Sequence, residues 1–302
     1  MNEKVSKKSP STLANSPRIL ELKKKRLRVW KLKIFLYLFL LIIFLAGLGF
    51  LSRWTEININ TVVVSGNKIV DESRVSKIIN EELAGYYFWV FPKKNFVIYP
   101  KKVITKRLIS EIKRLEGAEL NVTDTKVLEV SVTERKAVYT WCGEDLGFYD
   151  IEDSINDEVK KCYFMDEEGY VFDNAPYFSG AVYFKFFGLL ENPSIGPLGQ
   201  SYAPEHMTSI LTFLDEIESM NLQPTSLFIK KDGEIDLYLK SSVFNQDMNK
   251  IMINTDSDFQ KAAENLNAAV NTEPLKLDLK ERYEELLYVD LRFGNKIYYK
   301  FK

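Results

Sequence analysis

Residues 34–51, IFLYLFLLIIFLAGLGFL, carry no charge in a chain that is otherwise polar. At 1.5 Å per helical residue they reach ~27 Å, close to the ~30 Å hydrocarbon thickness of a bilayer. Within residues 21–33, immediately before the run, stand seven basic residues, Lys23, Lys24, Lys25, Arg26, Arg28, Lys31 and Lys33, against Glu21 alone. Beyond it stand Arg53 and Trp54, the residue types of a headgroup belt. This asymmetry predicts a single transmembrane helix over 34–52, with a basic tail (1–33) in the cytoplasm and the remainder outside it. A cleaved signal peptide fits less well, because a long polar stretch precedes the run and only Ala46-Gly47-Leu48-Gly49 resembles a cleavage region. Residues 1–18, rich in Ser, Asn, Lys and Pro, are expected to be disordered.

The net charge of −1 conceals a division. Residues 1–53 are strongly basic, so the part beyond them is acidic by about ten charges and poorly suited to nucleic acid or another polyanion. That part, about 250 residues, is long enough for two domains with their own cores. Cys142 and Cys162 are its only cysteines. An oxidising compartment would permit a bridge between them, the alternative being two unpaired core thiols. Two thiols and one histidine are too few for a metal centre, and no cofactor motif is present.

Along the exported part, the β-branched segment Ile59-Asn60-Thr61-Val62-Val63-Val64 leads to a Ser65-Gly66-Asn67 turn and predicts a strand. Asp71 is a helix cap ahead of the stripe Val75, Ile78, Ile79 and Leu83. A second helix is expected to open at Pro100, to carry Val103, Ile104, Leu108, Ile112 and Leu115, and to stop at Gly117. Leu128, Val130 and Val132 then alternate with polar residues as a half-buried strand does. Strand, helix, helix and two strands over 57–135 make one compact α+β domain.

From residue 136 to 302 strands dominate. The expected elements include Ala137 to Cys142, a hairpin turning at Asp166-Glu167-Glu168-Gly169, a strand from Val182 to Phe187, and a loop over 188–202. A helix from Pro204 bears Met207, Ile210, Leu211, Leu214, Ile217 and Met220. A hairpin follows at Asp232-Gly233, and a further helix carries Phe259, Ala262, Ala263, Leu266 and Val270. The result is a mostly antiparallel sheet with two covering helices. No nucleophile elbow, phosphate loop or acid–base constellation stands out, so no catalytic residue is expected. His206 is read as a helix-surface residue, and Asp166, Glu167 and Glu168 as turn chemistry.

The terminal pair of strands, Tyr288-Val289-Asp290-Leu291-Arg292-Phe293-Gly294-Asn295-Lys296-Ile297-Tyr298-Tyr299, is the candidate for interaction. A strand at the margin of a sheet either closes a core or accepts a partner strand. Lys296, Lys300 and Lys302 would discourage indiscriminate pairing.

Four stretches, in order behind one membrane segment, resemble the FtsQ/DivIB family of bacterial cell-division proteins. They are Val62-Val63-Val64-Ser65-Gly66-Asn67, then Leu128 through the Val132-Thr133-Glu134-Arg135 passage to Ala137, then Tyr163 to Phe172, and finally Tyr288 to Tyr299 with its Y-x-D-L-R pattern. Lys136 stands where that family often has proline. The resemblance implies a POTRA domain (57–135) followed by a β domain (136–302). It also implies a noncatalytic scaffold in the inner membrane at the division septum, binding FtsB/DivIC- and FtsL-like partners in septal peptidoglycan synthesis. Carried over by motif, the partner-binding residues are Asp290, Leu291, Arg292, Phe293, Lys296 and Tyr298. Phe293 and Tyr298 would fill pockets on the partner, and Arg292 would meet an acidic side chain. Two other classes compete: a membrane-tethered extracytoplasmic enzyme, and a POTRA-bearing transport or assembly component.

Overall fold

The computed structural model describes residues 17–146, 161–176, 178, 182–242, 247 and 249–302. Residues 1–16 of the stretch expected to be disordered, and most of the loop between the two cysteines, lie outside these residues. Two compact units divide the chain. One takes in Met1–Ser65, Asp71–Lys106 and Glu119–Ser131; the other takes in Gly66–Val70, Arg107–Ala118 and Val132–Lys302.

The apolar run belongs to helix α1 (Pro17–Leu51), which begins well before it. The basic stretch is therefore helical and continuous with the apolar one, and Pro17 and Arg18 already lie in the helix. Lys23–Leu51 is long and apolar enough to cross a membrane, with only 6% of its most apolar window buried within the protein. Strand β1 (Thr61–Ser65) leads to α2 (Glu72–Leu83). The Asp71 side chain accepts from Ser73 N at 2.8 Å and satisfies one of the free N–H groups of the α2 N-terminus. Val75, Ile78, Ile79 and Leu83, one stripe at helical spacing, are all buried.

A two-stranded hairpin, β2 (Tyr86–Tyr87) with β3 (Phe91–Pro92), was not anticipated from the sequence. Helix α3 (Lys101–Glu111) is shorter than expected, because Leu115 and Gly117 open strand β4 (Leu115–Asp124) instead of closing the helix. The chain turns at residues 113–114, and Leu115 and Leu120 are fully buried within β4. Apolar residues three and four apart fit a helix, but here the last of them serves a sheet. Strand β5 (Val127–Glu134) pairs in parallel with β1, Val62 beside Leu128 and Val64 beside Val130, and lies between β1 and β4 in a three-stranded sheet.

The second sheet has ten strands. In chain order they are β6 (Tyr139–Trp141), β7 (Cys162–Met165), β8 (Tyr170–Ala175), β9 (Phe184–Gly188), β10 (Gln200–Ser201), β11 (Pro224–Ile229), β12 (Glu234–Leu239), β13 (Lys250–Asn254), β14 (Leu286–Phe293) and β15 (Lys296–Phe301). Their spatial order is β10-β8-β7-β6-β9-β11-β12-β13-β14-β15. Most neighbours are antiparallel, but β6 with β9, β9 with β11 and β13 with β14 run parallel. Strand β10 falls inside the stretch expected to be a loop.

Helix α4 (Met207–Ser219) starts at Met207 rather than at Pro204, leaving His206 as its half-exposed N-cap. Helix α5 (Phe259–Val270) is capped by Asp258, which accepts from Lys261 N. A further short helix, α6 (Leu275–Arg282), has no counterpart in the sequence reading. One core joins α4 and α5 to a single face of the sheet, through Ile210, Phe213 and Leu266 with Phe186, Leu227, Leu237, Ile251 and Val289.

Two adjacent residues of opposite charge tie distant parts of this unit. The Glu134 carboxylate accepts from the backbone N–H groups of Lys68 (2.7 Å), Ile69 (2.9 Å) and Val70 (2.9 Å), and from Arg114 Nε at 3.3 Å. Burial opposes its ionisation, yet the three backbone donors and Arg114 outweigh burial and hold its pKa below the ordinary 4.5. Arg114 also reaches Asp173 at 2.5 Å. Arg135 pairs with Asp166 at 2.5 Å and lies over the Tyr170 ring. Asp166 in turn accepts from Glu168 N and Tyr170 N, which builds the β7–β8 turn around Gly169 at φ +82°. Of the acidic run, Asp166 is occupied with turn geometry. Among the described residues no cluster of His, Cys, Asp or Glu is arranged to hold a metal ion.

Cys142 and Cys162 are joined by a disulfide, with Leu146, Phe187 and Tyr238 in the same small cluster. The bridge spans 20 residues of sequence, for which chain-entropy arguments give about 3 kcal/mol of stabilisation. Replacing both cysteines by serine should lower the unfolding free energy of the detergent-solubilised protein by about that amount, read from urea titration with and without reductant. For Glu134 the depressed pKa means that its stabilisation is complete above pH 4.5 and lost as pH falls through the lower folded value. Glu134→Gln should therefore cost about 2 kcal/mol at neutral pH and flatten the stability profile below it, measured by denaturation at several pH values.

Candidate partner-binding edge

Strands β14 and β15 form the last hairpin of the ten-stranded sheet, and β15 is its margin. Val289 opposes Tyr299 and Asp290 opposes Tyr298. The chain reverses through Gly294-Asn295, so that Phe293 opposes Lys296. Gly294 has φ +65°, a conformation that a residue with a Cβ adopts at a cost. The register slips by one residue between Asp290 and Phe293, a bulge at the turn end of the hairpin.

Alternation divides β15 cleanly. Ile297, Tyr299 and Phe301 turn toward the core and are partly buried against it, whereas Lys296, Tyr298 and Lys300 face outward. Phe293 is 57% exposed and Tyr298 49% exposed, and their rings meet edge to face with centroids 5.2 Å apart. This pair gives the margin an aromatic patch flanked by lysines. On its backbone side, β15 has no further strand among the described residues.

The six residues expected to contact a partner fall into two groups. Phe293, Lys296 and Tyr298 are at the surface. Asp290 is 5% exposed and Leu291 is buried in the core, so both shape the edge from inside. Arg292 is also committed within the chain: its Nε donates to Asp290 Oδ1 at 2.8 Å, its Nη2 to Asp290 Oδ2 at 2.6 Å, and its Nη1 to Glu234. Hydrogen bonding to Asp290, opposed by burial and reinforced by Glu234, raises its pKa further above that of a free guanidinium. An acidic partner side chain would find that guanidinium already met.

The ion pairs extend across the face of the sheet opposite the helices. Asp236 on β12 receives Lys250 Nζ at 2.9 Å and Lys230 Nζ at 3.0 Å, and accepts weakly from the Tyr238 hydroxyl at 3.3 Å. Burial, and then the Asp236 charge, push the Tyr238 phenol well above its ordinary range. Glu234, Asp236, Lys250, Asp290 and Arg292 thus form a charged array over three strands. Sequence reasoning missed it because partners such as Glu234 and Arg292 are 58 residues apart. Only the alternation of charge with Ile235, Leu237, Val289 and Leu291 marked these positions as one face.

No protein-family model matches the sequence, and no curated protein matches it.

Removing the guanidinium would leave the buried Asp290 carboxylate without its main partner. Arg292→Ala should destabilise the protein by about 3 kcal/mol, read by chemical denaturation. Arg292→Lys should recover only part of this, because an ammonium cannot make the two-pronged contact.

Proposed function

We propose that this protein is a noncatalytic, membrane-anchored cell-division scaffold of the FtsQ/DivIB type. In this reading α1 crosses the inner membrane with its basic end in the cytoplasm. The β1-α2-α3-β4-β5 part is a POTRA domain, and the ten-stranded sheet is the β domain that recruits partners at the septum. The partners are short coiled-coil membrane proteins of the FtsB/DivIC and FtsL kind, and the outcome is assembly and control of septal peptidoglycan synthesis.

The observation that carries this reading is the margin at β15. It combines an unpaired strand edge, an exposed aromatic pair and flanking lysines. A partner segment adding to β15 would gain backbone hydrogen bonds, while Phe293 and Tyr298 supply aromatic anchors. Lys296 and Lys300 would favour an acidic segment and slow the pairing of like edges. The internal ion pairs of Arg292 assign it to holding the bulge in place.

The test is co-purification of the full-length protein with FtsB/DivIC-like and FtsL-like partners from membranes. Phe293→Ala together with Tyr298→Ala should weaken capture by about 30-fold, the effect of losing roughly 2 kcal/mol of anchor contacts. Deleting residues 296–302 should abolish it. Undiminished capture by both variants would refute the edge as the binding site. A reporter fused to the C-terminus and found active in the cytoplasm would refute the topology.

A further inference from the structure

The β2–β3 hairpin has a tip that a water-facing turn does not explain. Phe88 and Trp89 occupy it with φ +47° and +62°, and Val90 N donates to Tyr87 O at 3.1 Å to close the turn. Such turns favour Asn-Gly or Asp-Gly, because bulky side chains are disfavoured at positive φ. Here two aromatic residues adopt it in succession, and neither packs inward. Phe88 is 91% exposed and Trp89 90% exposed, the two most exposed large apolar side chains among the described residues.

The position of the hairpin supplies the reason. Its Val90 side chain lies against Gly49 of α1 so closely that a Cβ at Gly49 would overlap Val90 Cγ1. Gly49 is two residues from the helix end at Leu51, which is also where the apolar run stops. Trp89 is one residue, ~3.8 Å of backbone, from Val90. The tip is therefore held beside the last turn of the apolar helix. Around it stand cations and rings: Arg53 lies 5.6 Å over the Tyr86 ring, and Lys93 lies 6.0 Å from the Tyr87 centroid. The helix end is fixed in the same place by Asn58 Nδ2, which donates to Ser52 O and Trp54 O, and by Asn95 Nδ2, which donates to Ser52 Oγ at 3.1 Å. Aromatic rings with basic neighbours at the end of an apolar helix are the composition of a bilayer interface.

We propose that residues 86–92 form a second, shallow membrane anchor, with Phe88 and Trp89 inserted at the boundary of headgroups and acyl chains beside α1. This inference rests on the reading of α1 as a membrane-spanning helix. The ligand is the lipid surface itself. The exposure of the two rings and their unusual backbone conformation have one common cause, since the conformation aims both side chains away from the protein and into lipid.

The experiment uses the full-length protein in phosphatidylcholine–phosphatidylglycerol vesicles. A single cysteine at Trp89→Cys, or separately at Phe88→Cys, is labelled with an environment-sensitive fluorophore; the native cysteines are bridged and do not react. Lipids carrying a nitroxide near the headgroup end of the acyl chain serve as quencher. Labels at Leu45→Cys and Ile195→Cys are the references within α1 and on an exposed site of the second unit. Quenching at 88 and 89 should come within about two-fold of that at 45, with almost none at 195. Labels at 88 and 89 that behave like the one at 195, while 45 is quenched, would overturn the hairpin placement alone. An unquenched label at 45 would overturn the spanning helix, and the hairpin proposal with it. Dimming at 89 only upon addition of a second protein would assign the tip to a protein partner and refute lipid insertion.

Discussion

The second unit depends on one carboxylate. Glu134 gathers three successive backbone N–H groups from Lys68, Ile69 and Val70 and one guanidinium from Arg114. Val70 is buried, and its donor left unmet would cost more than the net value of an ordinary hydrogen bond. The next residue, Arg135, carries the opposite charge to Asp166, which itself organises the β7–β8 turn. Two adjacent side chains thus gather chain segments around residues 68, 114, 134 and 166. The Val132-Thr133-Glu134-Arg135 passage is structural in this sense: its ionic groups are consumed in holding backbone.

The ten-stranded sheet separates its labour by face. Toward α4 and α5 it presents apolar side chains that pack as a continuous core. On the other side, β12, β13 and β14 carry Glu234, Asp236, Lys250, Asp290 and Arg292, with Lys230 and Tyr238 completing the array. Buried charges of this kind add little net stability over apolar packing, but each becomes costly once its partner is missing. Their effect is to fix the register and the bulge of the last hairpin, and so the disposition of Phe293 and Tyr298 at the margin.

Local chemistry was legible and non-local chemistry was not. The α2 stripe of Val75, Ile78, Ile79 and Leu83, its Asp71 cap and the Asp232-Gly233 reversal between β11 and β12 are where periodicity and turn residues place them. The long apolar helix was evident from composition alone. Misreadings arose where one period imitates another. Leu115 continues the apolar spacing of α3 yet belongs to β4, and Gly117 is a strand residue, not a stop. The β2–β3 hairpin escaped notice because its tip lacks the glycine or asparagine that announces such turns. At the candidate edge, Phe293, Lys296 and Tyr298 could be placed by alternation. The internal engagement of Asp290 and Arg292 depends on which strands lie side by side, and β13 with β14 is a parallel pairing across two intervening helices.

A helix leading into a folded domain through a slack linker is free to spin about its own long axis. Here the hydrogen bonds of Asn58 and Asn95 to Ser52, and the close seat of Val90 on Gly49, leave no slack at the junction. The azimuth of α1 is consequently set by the first unit. A neighbour that docks on that unit therefore meets one defined longitudinal stripe of the helix, and a rotation imposed on either is transmitted to the other as torque.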